Sequence, residues 1–248
     1  MTWLSSPAPR PGARQRLICF AHAGGSAHFY RGWAEALPDL EVHAVHYPGR
    51  AHRIDEPTAT DLRGLAGEIA EGIRHLNDRP LALFGHSMGA VVAFETALRL
   101  RESGVRVSHV FASAARAPQL PGVPIGDGGP LDEDAVAEAL IALGGTDAQA
   151  LADPMLRELI LPYVCADLIM LDAYVHRPGS RLDCPVTAIV GDADQQVGAA
   201  HADAWAEVTS GPFRRRTVSG DHFYLTPRPP FALIGEALSP LSPLSTRA

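Results

Sequence analysis

One pentapeptide in the sequence defines a possible chemistry. Gly85-His86-Ser87-Met88-Gly89 follows the apolar run LALF and precedes the helical pattern GAVVAFETALRL. A G-x-S-x-G segment between a strand and a helix forms a sharp turn that projects the serine Oγ from the sheet. Side chains at the two flanking positions would collide with crossing backbone, so glycine is needed at both. The turn forces Ser87 into a strained backbone conformation, and the helix that starts beneath it favours developing negative charge. The chemistry implied is nucleophilic attack by Ser87 on an acyl carbon.

A serine hydroxyl is a weak nucleophile until a base takes its proton, so an imidazole held by a carboxylate is required. Of 11 histidines, His109, His176, His201 and His222 lie downstream of the elbow helix. With such elbows the chain order is serine, acid, histidine, the last two on loops after later strands. His109 falls within an expected strand, His176 in a long insertion and His201 in an expected helix. His222, in SGDHF after the last expected strand, is the candidate base. For the acid, the strand PVTAIV ends in Gly191-Asp192-Ala193-Asp194, and functional groups in such sheets gather at that carboxyl edge. Asp194 reaches further into the loop and is preferred; Asp192 is the alternative, able to brace its own turn. Asp221 adjoins His222, points elsewhere and serves the loop. An oxyanion hole should pair the amide of Met88 with one from AHAGGS (21–26), where Ala23 is the choice and Gly24 stands behind it. His22 is open to two readings, a proton relay or packing beneath the site.

These side chains meet only if the right elements carry them. Strands are expected at Arg16–Phe20, Glu41–Tyr47, Pro80–Phe84, Val107–Ser113, Pro185–Val190 and Phe213–Val218. Helical patterns lie at Phe29–Ala36, Asp61–His75, Met88–Ser103 (ended by Gly104) and Ala199–Val208. Alternation of strand and helix argues for a mostly parallel central sheet flanked by helices, an α/β fold. Between Ser113 and Pro185 no strand is expected. A Pro/Gly-rich stretch opens this interval, and helical patterns follow at Leu131–Leu143 and Pro154–Tyr174. The expectation is a helical lid over about 115–184; extra helices on the sheet's flank are the alternative. Residues 1–15 read as a flexible lead-in, 16–238 as one domain, and 239–248 as a flexible tail.

Composition narrows the classes further. The 248 residues carry 28 acidic and 21 basic side chains, a net charge of −7, which argues against a nucleic-acid surface. All the basic side chains are arginine, so a Schiff-base lysine and a phosphate-binding P-loop lysine are excluded. Cys19, Cys165 and Cys184 are widely spaced with no C-x-x-C, which predicts neither a disulfide framework nor a zinc site. No cofactor or metal is expected. Met1 to Arg16 lacks the apolar run of a signal peptide, and no stretch is long enough to span a membrane, so the chain is expected in the cytoplasm.

With the triad and its loop in place, the chain resembles the α/β-hydrolases. More narrowly, it is similar to the discrete type II thioesterases of modular polyketide synthases and non-ribosomal peptide synthetases. The resemblance runs from Leu17 to Leu238. It rests on CFAHAGGSAHFYRGW (19–33), YPGR (47–50) with Arg53 and Glu56-Pro57, LFGHSMGA (83–90), CADLIMLDAY (165–174), GDADQQV (191–197) and GDHFYL (220–225). Ala21 departs from the family, which has proline there; the oxyanion loop is loosened but loses no donor.

The resemblance implies hydrolysis of acyl thioesters from the phosphopantetheine arm of an acyl or peptidyl carrier protein, with Ser87, His222 and Asp194 as the triad. Such enzymes clear stalled or wrongly primed acyl groups, and many work as monomers. Tyr174 and the lid helices would line an acyl channel, although a tyrosine at helical spacing equally suits plain packing. Arg50 and Arg53 could meet an acidic carrier protein or form internal salt bridges. Two other functions compete: a fatty-acyl thioesterase or carboxylester hydrolase on the same fold, and a docking protein without catalysis.

Overall fold

The computed structural model describes residues 3–122, 131–145 and 151–239. Seven strands form one sheet: β1 (Leu4–Ser5), β2 (Gln15–Phe20), β3 (Leu40–Val45), β4 (Leu81–His86), β5 (Val107–Ser113), β6 (Val186–Gly191) and β7 (Phe213–Val218), in the spatial order β1-β3-β2-β4-β5-β6-β7. All neighbouring pairs from β3 to β7 are parallel, and only β1 runs antiparallel, against β3. β3, β4 and β6 are buried along their whole length, as strands covered by helices on both faces must be. Residues Leu81–Phe84 are fully inaccessible and, with Leu17–Phe20 beside them, form the centre of the core.

The principal helices are α1 (Trp33–Ala36), α2 (Leu62–Ile73), α3 (Met88–Glu102), α4 (Glu133–Leu143), α5 (Pro154–Asp172), α6 (Ala199–Asp203) and α7 (Phe231–Leu238). Their ends follow local chemistry. The carboxylates of Asp61, Asp132 and Asp153 accept backbone N–H groups at the starts of α2, α4 and α5, satisfying donors that a helix leaves open. Pro154 occupies the first turn of α5, where no intrahelical N–H is needed. The expected Phe29–Ala36 helix divides into a 3-10 turn (Ala27–Tyr30) and α1 at Gly32, and Ala199–Val208 divides likewise at Asp203.

Among the described residues the interval from Ser113 to Val186 contains helices and no strand of the sheet. α4 and α5 share a small apolar cluster of their own, built from Val136, Ala137, Leu140, Leu161 and Val164. The stretches 123–130 and 146–150 of the expected lid, and 240–248 of the expected tail, lie outside the described residues.

Two elements differ from the expectations. The segment read as a flexible lead-in is docked: Trp3 O accepts His46 N–H at 2.9 Å, Leu4 and Ser5 pair with Val45 and Ala44, and the Trp3 ring lies 4.1 Å from the Arg53 guanidinium. A two-residue strand has no periodicity to read, and its partner is forty residues away. α7 had no expected counterpart. Its eight residues follow a proline pair and are too few to show a helical repeat, yet Ile234 is fully buried against the core.

Candidate active site

β4 ends at His86 and α3 begins at Met88, leaving Ser87 alone between them at φ 54°, ψ −123°. This is positive-φ backbone on a residue with a side chain, held by Ser87 N–H donating to Ser113 O at 2.8 Å and Ser87 O accepting from Ala90 N–H at 2.9 Å. The pentapeptide glycines are dictated by clearance. A Cβ on Gly85 would lie 2.2 Å from Gly89 O, and one on Gly89 would lie 2.2 Å from Phe20 O. The second approach brings the start of α3 against the end of β2, so the Met88 amide and the 21–26 loop face the same edge.

The loops after β6 and β7 are laced together. Asp192 N–H donates to Val218 O at 2.8 Å, Ala193 N–H to Gly220 O at 2.9 Å, and Asp192 Oδ1 accepts Gly220 N–H at 2.9 Å. Asp192 therefore braces the histidine loop, and Asp194 meets the imidazole: His222 Nδ1 lies 2.9 Å from Asp194 Oδ2. The Asp194 side chain is fully buried, and its other oxygen accepts the amides of Gln196 and Val197 at 2.8 and 3.0 Å. Burial pushes this carboxyl up, but the hydrogen bond and charge of His222 and the two amides outweigh it, holding it below the ordinary aspartate range. Asp221 turns away and accepts Phe223 N–H at 2.9 Å. The His222 ring lies 5.4 Å from the His86 ring, which immediately precedes Ser87.

Of the candidate oxyanion donors, neither Met88 N–H nor Ala23 N–H has a hydrogen-bond partner among the described residues. Gly24 N–H is occupied, donating to Asp167 Oδ2 of α5 at 2.8 Å. His22 packs edge-on against Phe29 and Phe223 at 4.9 and 4.8 Å. Burial, then the charges of His222 and Arg50, push its imidazole down to about 3, so it remains neutral and fills space beneath the site.

The roles of His86, Ser113, Tyr224 and Asp167 had escaped sequence reasoning, whereas internal salt bridges at Arg50 and Arg53 were one of the two readings it offered. His86 Nδ1 lies 2.9 Å from Ser113 Oγ, which lies 2.6 Å from Tyr224 Oη, a buried chain beneath the elbow. Arg50, only 4% exposed, forms a bidentate pair with Asp167. Arg53 is buried too and pairs with Glu56. Both arginines are thus internal and are withdrawn as carrier-facing candidates. The one signal for Asp167 was a carboxylate within the apolar run of CADLIMLDAY. Tyr174 donates to Glu95 Oε1 at 2.7 Å and lines a cleft of about 620 Å³ whose described lining includes neither Ser87 nor His222, which favours packing over an acyl channel. Among the described residues no group of three or more His, Cys, Asp or Glu could hold a metal ion.

A family model described as a thioesterase domain matches residues 15–234. The chain belongs to the thioesterase family. Thioesterase PikA5 of Streptomyces venezuelae is 39% identical over 226 residues, covering 90% of this chain and 80% of the relative. A probable cadicidin biosynthesis thioesterase of Streptomyces griseus is also 39% identical over 90% of this chain, which spans 62% of that longer protein. Among solved structures, the type II thioesterase BorB of the borrelidin cluster superposes with a TM-score of 0.86 at 38% identity, covering 96% of this chain and 98% of BorB. The thioesterase RedJ of Streptomyces coelicolor gives 0.84 at 36% identity, covering 93% of each chain. The expected α/β-hydrolase fold and thioesterase class are both borne out. A strained serine at the strand-to-helix elbow and a carboxylate-bound histidine on a later loop are groups that thioester hydrolysis calls for, although no hydrogen bond joins Ser87 Oγ to the His222 ring among the described residues.

Proposed function

We propose that this thioesterase releases acyl groups from the phosphopantetheine arm of acyl or peptidyl carrier proteins in polyketide or non-ribosomal peptide assembly. Its work there is to clear stalled or aberrant intermediates. Ser87 Oγ attacks the thioester carbonyl carbon while its proton passes to His222 Nε2, and Asp194 holds Nδ1–H and stabilises the imidazolium. The carbonyl oxygen becomes an oxyanion that accepts Met88 N–H and Ala23 N–H; one such donor is worth about 3 kcal/mol of barrier. The C–S bond breaks and the thiol leaves with the proton from His222, readily because a thiol of pKa about 8.5 is a far better leaving group than an amine. Water then attacks the acyl-serine, giving its proton to His222, and the free acid departs as Ser87 regains its hydrogen.

The observation that carries this reading is the Asp194–His222 pair at 2.9 Å, held by the laced loops after β6 and β7, with the His222 ring 5.4 Å from that of His86, the residue before the strained Ser87. The relatives named for such biosynthetic pathways support a carrier-protein substrate. α4 and α5, with an apolar cluster separate from the main core, serve in this reading as the lid. Three unpaired cysteines suit a reducing cytoplasm, and the protein is taken to act as a monomer. Among the described residues no helix is long and apolar enough to cross a membrane.

The test compares wild type with Ser87→Ala on acyl-loaded carrier protein. Release should fall at least about a thousandfold in the variant; equal release would reject the assignment. A second reading has its own support: a medium-chain S-acyl fatty acid synthase thioesterase of Rattus norvegicus is 34% identical over 87% of this chain. Faster turnover of long-chain acyl carriers than of short ones would favour that alternative.

A further inference from the structure

The loop after β2 is tied to the helical insertion through one buried ion pair. Asp167 lies on α5 with its side chain 3% exposed, and the Arg50 side chain facing it is 4% exposed. Arg50 Nη1 and Nη2 reach Asp167 Oδ2 and Oδ1 at 2.5 and 2.6 Å. The same pair holds the loop backbone at two successive residues. Asp167 Oδ2 accepts Gly24 N–H at 2.8 Å, and Arg50 Nη1 donates to Gly25 O at 3.2 Å. Tyr47, which lies 5.3 Å from the guanidinium, donates its hydroxyl to Ala21 O at 3.2 Å. Ala23 is flanked by these anchors.

A buried ion pair is weak evidence for stability, because apolar residues of similar volume often serve the fold as well or better. Here the pair has a second consequence, since its spare hydrogen-bonding capacity goes to the backbone of the loop. We propose that Asp167 and Arg50 are positioning residues for the oxyanion hole. They turn Gly24 N–H away from the reacting carbonyl, leave Ala23 N–H as the donor, and make the loop's geometry depend on the seating of α5. The inference rests on the reading that Ala23 N–H meets the thioester oxygen. It makes the insertion a working part of the catalytic site, because a carboxylate on α5 sets the position of a donor it does not itself supply.

Three enzymes test it: wild type, Asp167→Asn and Arg50→Met/Asp167→Leu. Asparagine has one acceptor oxygen where the aspartate uses two, so in either orientation a guanidinium nitrogen faces an NH₂ group, and in one of them Gly24 N–H faces it as well. The double variant replaces the pair with apolar side chains and separates stability from positioning. Each is assayed for kcat and KM on an acyl-pantetheine thioester, for thermal midpoint, and for inhibition by an alkyl boronic acid, whose adduct on Ser87 places an oxygen in the hole. The expected result for Asp167→Asn is a kcat lower by about 10- to 100-fold with KM within about twofold, and boronate affinity weakened in parallel. In the double variant the thermal midpoint returns toward wild type while kcat stays low. The proposal is overturned if kcat per folded molecule is unchanged in either variant, if the loss lies wholly in KM, or if boronate affinity does not move with kcat. The proposed thioesterase reaction at Ser87, of which that donor is a part, fails separately: wild type would then show no thioester turnover, or Ser87→Ala would retain it.

Discussion

Asp194 and Asp192 show how two identical side chains, two residues apart, divide their duties by what they touch. Asp194 is enclosed and receives His222 and two amides, whereas Asp192 accepts Gly220 N–H across the neighbouring loop. Asp194→Asn should therefore lower kcat by about 10³- to 10⁴-fold with the fold intact, because the amide lets the imidazole settle in the wrong tautomer. Steady-state kinetics beside a circular dichroism spectrum checks both halves of that statement. Asp194 also predicts a pH dependence of stability. Its carboxyl titrates lower in the folded protein than in the unfolded chain, so its stabilising contribution is complete above the ordinary aspartate pKa of about 4 and disappears as pH falls through the folded value. The difference in thermal midpoint between wild type and Asp194→Asn should shrink as pH falls below about 4, where the carboxylate takes up its proton. A gap that widened over that acid range would contradict the assignment.

Elements bring these residues together through backbone clearances. The crossing of α3 over the end of β2 leaves no room for a Cβ at Gly89, where Phe20 O would be 2.2 Å away and Ala21 O 2.6 Å. Both obstacles are backbone and cannot rotate aside. Gly89→Ala should cost at least about 1–3 kcal/mol in urea unfolding, and activity should fall with it because α3 carries the Met88 amide. The β6 and β7 loops have a milder dependence. Asp192→Ala removes one hydrogen bond to Gly220, worth about 1 kcal/mol, and frees the segment that holds His222. A several-fold loss of kcat with little change in thermal midpoint is the expected outcome. Equal kcat in the variant would show that the remaining backbone bonds, Asp192 N–H to Val218 O and Ala193 N–H to Gly220 O, suffice to hold the loop.

At the scale of the whole molecule the sheet has two edges, and they are protected differently. β7 carries Arg214, Arg215 and Arg216 in succession, and charge discourages pairing with another sheet. β3 is covered by β1, whose position depends on Trp3 lying over Gly72 and beside Arg53. Removing residues 1–6 should lower stability by about 1–3 kcal/mol and expose the β3 edge, giving concentration-dependent association in light scattering. The kcat of the remaining folded monomer should be preserved, because β3 lies on the far side of β2 from the elbow strand. An unchanged thermal midpoint would mean that the strand is dispensable.

Local chemistry made much of this legible in the sequence. Gly85, Ser87 and Gly89 announce the elbow because a single turn geometry needs all three, and β4, β5 and β7 show as apolar or β-rich runs bounded by turns. Asp194 was separable from Asp192 by its reach into the loop, and His222 from the other histidines by its place after the last strand. The sequence therefore located the elbow serine, the loops that carry the candidate acid and base, and the alternation of strand and helix, each of which is marked by residues adjacent along the chain. Tertiary structure alone decided that Arg50 and Asp167, 117 residues apart, form a buried pair, that Asp167 occupies Gly24 N–H, and that Trp3 closes an edge. Such pairings depend on which surfaces face each other after folding. A charged side chain gives the same local signal whether its partner is water or a residue more than a hundred positions away.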